Sequence, residues 1–300
     1  MALVRRAEPV DLVITGAREE SRSALRGWLR RWLPISIGLA MAAVMIVVAA
    51  AAPLIAPLSP SAQFSDSVLK GPGVIERHLL GTDEFGRDIL SRIIWGARVS
   101  LQVGLASVVF AFVLGVPLGI VAGVGGGRVE TLIMRCADML MAFPTLLLAL
   151  IIVTALGGSL VNEILAIGVA LTPNFLRLAR SLALTIREQD YILAARALGS
   201  GQLRLMARHV FPNTVYALVV VASLYIATAI RTEAGLSFLG LGIPPPTPSW
   251  GNILSEGRQY IKCCPWITTF SGLAIMVAVL AFNLVGDALR DLLDPRLKGE

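Results

Sequence analysis

REQDYILAARALGSGQLRLMARHVFPN, residues 187–213, is a polar, basic stretch set between two apolar blocks. With its flank it forms a segment from about Arg180 to Asn213, read as facing the cytosol. Two short helices are expected, joined by the turn Gly199-Ser200-Gly201. On the first, Tyr191, Ala194, Ala195 and Leu198 recur at i, i+3, i+4 and i+7, which places them on one helical face. On the second, Leu203, Met206, Ala207 and Val210 repeat that spacing, with Arg204 and Arg208 four apart on the other side. Pro212 is expected to end the pattern. A helix pair this short cannot bury its faces alone. It needs the surface of a helix bundle, a cytosolic protein, or the lipid headgroups on which basic amphipathic helices rest.

Outward from this stretch, the sequence is that of a polytopic membrane protein. Of the 300 residues, 56% are hydrophobic and 15% charged, with a mean hydropathy of +0.76. A soluble chain carries about 25% charged residues. The apolar residues gather in blocks of roughly 20, the length that crosses a bilayer as a helix. The net charge of +6 reflects arginines beside these blocks and does not point to nucleic acid. The three cysteines, Cys136, Cys263 and Cys264, give neither a disulfide framework nor a zinc ligand set, and are read as incidental.

Six spans with both termini in the cytosol are expected. Arg5, Arg6, Arg18, Arg22, Arg26, Arg30 and Arg31, with Trp28 and Trp32, fix the N-terminal tail inside. The first span runs from about Ile35 to Leu54. Residues from Pro57 to about Arg98 then lie outside. There Gly81-Thr82-Asp83 reads as a capped turn, and Ile89, Leu90, Ile93 and Ile94 line one face of an interfacial helix. Asp88 is placed to reach Arg92 at i, i+4. The second span, about Leu101 to Val124, carries Gly115, Gly119 and Gly123 at four-residue steps, a helix-packing pattern. The third, about Thr131 to Leu156, is expected to bend at Pro144. Arg135 and Asp138 are placed to pair near its inner end.

The fourth span, about Val161 to Leu178, holds Asn162, Glu163, Thr172, Pro173 and Asn174, and should face protein rather than lipid. The fifth runs from about Thr214 to Ile230, with Arg231 and Glu233 at its outer end. In the outer loop that follows, Pro244-Pro245-Pro246 excludes helix, and Trp250-Gly251 opens a short amphipathic piece. The sixth span is about Trp266 to Leu284. The chain thus divides into a tail at 1–34, a first span with an external segment at 35–98, a core at 99–287 containing the loop 180–213, and a tail at 288–300.

Some chemistry is missing from the text. No Gly-Lys pair occurs, so there is no phosphate-binding loop of that kind. His78 and His209 fall on opposite sides of the membrane in this topology. No carboxylate sits at the centre of the second or sixth span, where an ion-driven carrier would usually place one. No catalytic or metal-ligating set and no cofactor site is expected in this chain. An importer permease, a secondary carrier, and a membrane scaffold or enzyme subunit are the competing readings.

The choice between them rests on resemblance. Ala194-Ala195, Gly199 four residues on, then His209, Phe211 and Pro212 resemble the EAA loop of ABC importer permeases. The family's leading Glu would fall at Leu193, so the chain departs from the pattern there. GTDEFGRDILSR (residues 81–92) and GLSFLGLGIPPPTPSWGNILSEGRQY (residues 235–260) resemble the corresponding outer segments of the peptide/nickel group, of the dipeptide and oligopeptide permease C-subunit type. The resemblance implies an all-α, type I ABC importer permease fold in a bacterial cytoplasmic membrane. It implies a role for Tyr191, Ala194, Ala195, Leu198, Gly199, His209 and Pro212 in coupling to a cytosolic ATPase. It also implies a second similar permease, two ATPases that use ATP and magnesium, and an external solute-binding protein. Di- or oligopeptides are the implied cargo; nickel chelates, glutathione and other small solutes are served by close relatives.

Overall fold

The computed structural model describes residues 35–293. The expectations for the arginines and tryptophans of the first 34 residues, and for Arg296 and Lys298, lie outside them. Among the described residues the regular structure is helical, and the single extended pairing is the isolated bridge Thr82–Asp88.

Helix α1 covers Ile35–Ala50 and gives way at Ala51 to the short α2, Ala52–Ile55, before the prolines that follow stop helix formation. The expected first span therefore ends as a regular helix at Ala50. Helix α3, Ile89–Gly125, is one element of 37 residues. The interfacial helix expected near residues 89–98 is its opening turns, so the division at 98/99 falls inside a continuous helix. Nothing between Ile89 and Gly125 breaks the ladder except Pro117, which the neighbouring helices accommodate.

The glycine steps of α3 set its main contact, with α6, Leu160–Arg187. A Cβ at Gly115 would lie 2.7 Å from the Thr172 carbonyl oxygen, and one at Gly123 would lie 2.7 Å from Ala183 Cβ. One at Gly119 would collide with the Leu176 carbonyl oxygen. The two backbones therefore run in direct contact, as small residues at this spacing permit. Contact positions on both helices advance together, so α3 and α6 are parallel. The polar helix α6 buries Ala166, Ile167, Leu171, Phe175 and Ala179, as its composition leads one to expect. The Phe175 ring meets Phe112 of α3 edge-on at 5.7 Å and Tyr225 at 5.2 Å, which joins three helices at the core.

The third apolar block is two helices, α4 (Gly127–Met141) and α5 (Thr145–Leu156), which meet at 89°. Pro144 has no N–H to continue the ladder and drives Phe143 out of helical geometry. What the sequence suggests as one bent span is thus a broken one. Asp138 does not pair with Arg135; it accepts from Arg177 Nη2 at 2.8 Å, and Glu130 accepts from Arg180 Nε at 2.7 Å. These two bonds fasten α4 to the inner half of α6.

Beyond the loop, α7 (Asp190–Ala197) is followed by α8 (Gln202–Leu205), a π-helical turn (Met206–Val210) and α9 (Phe211–Phe238), which run on as one span of 37 residues. Pro212 does not end this helix. It sits in the first turn of α9, where a missing N–H costs least, and the π turn just before it absorbs the altered bonding. The short helix α10 (Trp250–Gly257) opens with Ser249 accepting from Asn252 N–H at 3.1 Å, and α11 (Trp266–Leu293) packs on α9 and α10.

Among the described residues three helices are long and apolar enough to cross a membrane, and the α4–α5 pair makes a fourth if it is counted as one broken span. Helix α1 is shorter, and α6 is long enough but polar. The six expected segments are all helical, and these two depart from ordinary spans for the reasons their sequences state.

The outer segment is closed by an ion-pair network. Asp83 is fully buried and accepts from Arg87 Nε at 2.6 Å, from the Phe85 and Arg87 N–H groups at 2.9 Å each, and from Arg92 Nη1. Glu256 of α10 accepts from Arg87 Nη2 at 3.0 Å and pairs with Arg92 Nη1 at 2.7 Å. Asp88 does not reach Arg92. It caps α3 by accepting from Ser91 N–H at 2.7 Å, and its other oxygen lies 3.1 Å from His78 Nδ1.

Candidate functional site

One end of the bundle, expected to face the cytosol, presents the loop that links α6 to α9. Helix α6 continues to Arg187, so the loop begins at Glu188 rather than near Arg180. Arg187 holds this end in place: its Nη1 donates to the Gly123 carbonyl of α3 at 2.9 Å, and its Nε to Glu188 at 2.9 Å.

Helix α7 ends in a Schellman motif. Gly199 N–H donates to the Arg196 carbonyl at 2.9 Å and Ser200 N–H to the Ala195 carbonyl at 3.0 Å, with Gly199 at φ +82°. This left-handed residue turns the chain and leads it into α8. A Cβ at Gly199 would meet nothing within 4 Å, so the demand for glycine comes from backbone conformation alone.

The loop is anchored by residues that spacing did not single out. Ile192 and Leu205 are each 1% exposed. The face read as Tyr191, Ala194, Ala195 and Leu198 points the other way: Tyr191, Ala194 and Leu198 are exposed and Ala195 is half-buried. Leu198 is 88% and Leu203 80% exposed, and Leu193 joins them at 48%. In the second arm Met206 and Val210 pack into the core, while Ala207 is exposed. The periodicity found there thus divides at the π turn. Tyr191 and His209 bring the two arms together, their rings 6.3 Å apart and inclined at 55°. Asn213 Nδ2 donates to the His209 carbonyl at 2.6 Å, and Pro212 is exposed beside it.

The arrangement is a rigid bracket at the inner end of α6 and α9. It carries exposed apolar side chains, Tyr191, Leu193, Ala194, Leu198 and Leu203, which the other described residues leave uncovered. Arg196, Arg204 and Arg208 are exposed around it. Such a bracket has no reacting groups. It joins the ends of two long helices, α6 and α9.

Elsewhere among the described residues, Asp83, Glu84 and Glu256 bring carboxylate oxygens close enough to hold a metal ion. Arg87 and Arg92 already occupy this cluster, so it is a structural ion-pair network. A second group missed by sequence reading is the buried pair Glu163 and Glu233, taken up below.

A helical bundle with a bracket of this form is the architecture of a transporter's membrane subunit, and comparison with known proteins agrees. The model of the binding-protein-dependent transport system inner membrane component family matches residues 115–299. The chain belongs to this family and is the permease subunit of an ABC importer, a multi-pass membrane protein. It is 48% identical to a di/tripeptide transport system permease of Pseudomonas aeruginosa over 251 residues, 82% of this chain and 83% of the relative. It is 46% identical to the dipeptide transport system permease of Escherichia coli K12, over 81% of this chain and 83% of that one. A relative from Alkalihalophilus pseudofirmus, also a dipeptide permease, is 45% identical over 82% of this chain and 81% of its own length. In fold the chain is similar to a chain of the MetNI methionine ABC transporter in an inward-facing form. The TM-score is 0.57 at 18% identity, covering 68% of this chain and 97% of the other.

Proposed function

We propose that this permease carries di- or oligopeptides across a bacterial cytoplasmic membrane, handed to it by an external solute-binding protein and driven by ATP hydrolysis in two separate cytosolic subunits. The observation that carries the reading is the uncovered apolar surface of the loop bracket, supported by the names of the relatives that match over four-fifths of the chain. ATPase closure moves the bracket, and the bracket moves α6 and α9. A second, similar permease completes the route. Tyr191, Ala194, Ala195, Leu198, Gly199, His209 and Pro212 form the coupling region, with Leu193 adding apolar surface where the family pattern has Glu. Energy reaches the cargo through the different stabilities of the inward- and outward-facing states.

Both termini and the segments around Arg22, Arg128, Arg196 and Arg296 face the cytosol. Those around Asp83, Gly158 and Ser255 face outside. Cysteine labelling at these positions tests the orientation, and labelling near Arg196 from outside would overturn it. The substrate is tested with the cognate binding protein. Thermal-shift screening against dipeptides, oligopeptides, nickel chelates and glutathione is followed by uptake into proteoliposomes holding the complete transporter. Peptide-stimulated uptake that needs ATP is expected; stabilisation and uptake with only a non-peptide solute would reassign the cargo. The purified permease alone is expected to hydrolyse no ATP.

A further inference from the structure

Two carboxyl groups are enclosed at the outer end of the bundle. Glu233, near the end of α9, is fully buried and accepts from Ser100 Oγ of α3 at 3.0 Å and from Ser237 Oγ at 3.0 Å. Glu163, in the first turn of α6, is 1% exposed, and neither of its carboxyl oxygens has a hydrogen-bond partner. Ser107 of α3 is also buried with an unpartnered hydroxyl.

The helix register brings these groups to one level. Going outward along the parallel α3–α6 seam, Gly115 meets Thr172 and Phe110 meets Gly168, which places Ser107 within a turn of Glu163. Across from it, Gly104 meets Ile230 of α9, one turn from Glu233.

Among the described residues no cation answers this pair, and Arg258 lies over the Phe238 ring. Arg98 lies over the Trp95 ring, and α3 has no other charged residue from there to Gly125. Arg231 is exposed and bonds to Thr228, and α5 carries no charge. On α10, Glu256 is engaged by Arg87 and Arg92. The next charge along α6 is Arg177, near the inner end. The hydroxyls at Glu233 are neutral donors, from Ser100 and Ser237, with Ser249 Oγ 3.5 Å from Ser237 Oγ. The N-terminal dipole of α6 favours charge on Glu163, but that effect is about 0.3–1 kcal/mol, rising to about 2 in buried settings. An unpaired buried carboxylate costs far more than this.

We propose that Glu163 and Glu233, with the hydroxyls of Ser100 and Ser107, form a buried site for one monovalent cation, held between α3, α6 and α9. Oxygen-only ligands of this kind suit a proton on Glu163 or a sodium ion shared by the two carboxyls. The occupant neutralises the pair and ties the outer ends of the three helices together. Because the site lies between helices that carry the transport motion, its occupancy biases the states between which the permease moves.

The test uses the complete transporter in nanodiscs. The proton arm is infrared difference spectroscopy between acidic and alkaline pH, read for a buried protonated carboxyl. The sodium arm is the melting temperature in sodium chloride against choline chloride at equal ionic strength. A protonated-carboxyl band that vanishes in Glu163→Gln supports the proton. A melting temperature higher in sodium by about 2 °C or more, with the difference lost in Glu163→Gln, supports sodium. Both arms are read first on the wild type, and Ser107→Ala, which keeps both carboxyls, is the second variant. No such band together with no sodium dependence in the wild type overturns the proposal, as does either signal persisting unchanged in Glu163→Gln.

Discussion

The rings of Tyr191 and His209 lie 6.3 Å apart and join the two arms of the loop, so that α7 and the base of α9 form one body. Tyr191→Ala removes this link and part of the exposed apolar surface. The expected result is a transporter that inserts and assembles but shows uptake reduced several-fold, with basal ATPase activity no longer stimulated by the loaded binding protein. Uptake and ATPase assays on the same vesicles check it. Unchanged stimulation would show that the ring contact is dispensable.

Gly199 and Ala195 define the turn and the face beside it. Gly199→Val forces a β-branched residue to φ +82° and is expected to cost more than the roughly 1–2 kcal/mol that the left-handed conformation imposes on ordinary residues. Gly199→Asn should be milder, since Asn tolerates that region. Ala195→Asp puts a charge at the edge of the apolar surface. Gly199→Val and Ala195→Asp should abolish ATP-driven uptake while leaving membrane insertion intact, and Leu193→Glu should be tolerated. Near-normal uptake with both Gly199→Val and Ala195→Asp would leave the loop a mere surface connector.

In the outer network, Arg92 is 2% exposed and stands between Asp83 and Glu256. Arg92→Met leaves the Asp83 carboxylate short of a partner, and breaking a buried pair in this way costs about 3–5 kcal/mol. The thermal stability of the purified complex is expected to fall, with uptake by the surviving fraction less affected.

A pH effect is expected at Glu84 in the same region. Burial, and then the neighbouring charges of Asp83 and Glu256, push its carboxyl above the usual carboxylate range. A carboxyl raised on folding binds its proton more tightly in the folded state. Its ionisation therefore destabilises the fold above the raised value, and this penalty is relieved as pH falls through it. Glu84→Gln should remove that part of the pH dependence and raise the melting temperature at neutral pH, as measured by melting curves across the acid range.

The adjacent thiols Cys263 and Cys264 are expected to differ in reactivity. Burial and the adjacent Cys263 sulfur push the Cys264 thiol up to about 11, whereas Cys263 is exposed. A membrane-impermeant maleimide should modify Cys263 quickly at neutral pH and Cys264 slowly. Fragmentation mass spectrometry of the peptide holding both thiols, over time and in a Cys136→Ser background, separates the two.

Much of this architecture was legible in the sequence. The glycine steps of α3 announced a close helix contact, and the polar text of α6 announced a helix enclosed by protein. The bracket's turn at Gly199 and its outward apolar face were legible as well. The anchors Ile192 and Leu205 were not, because arms of eight and four residues hold too few turns for periodicity to separate two apolar faces. The π turn then advances the helical phase by one extra residue, about 100°, so a face traced past Met206 rotates away. Pairing by spacing suggested Asp88 with Arg92 and Arg135 with Asp138. Asp88 instead caps its own helix at Ser91, Asp138 takes Arg177 of another helix, and Arg87 finds Glu256 across 169 positions. The meeting of Glu163 and Glu233 likewise depends on two helices whose register no local pattern encodes.

Gly115, Gly119 and Gly123 bring α3 and α6 together backbone to backbone, with no flexible side chains to act as padding. Such a pair has little give along its length and behaves as a single two-ply beam from one membrane face to the other. Arg187, bonded to Gly123, clamps the inner end of that beam just where the bracket begins. If a partner moves the bracket as proposed, the displacement is expected to be carried along this pair toward Ser107 and Glu163. Thrust applied at the outer end by an arriving binding protein would travel inward along the same beam.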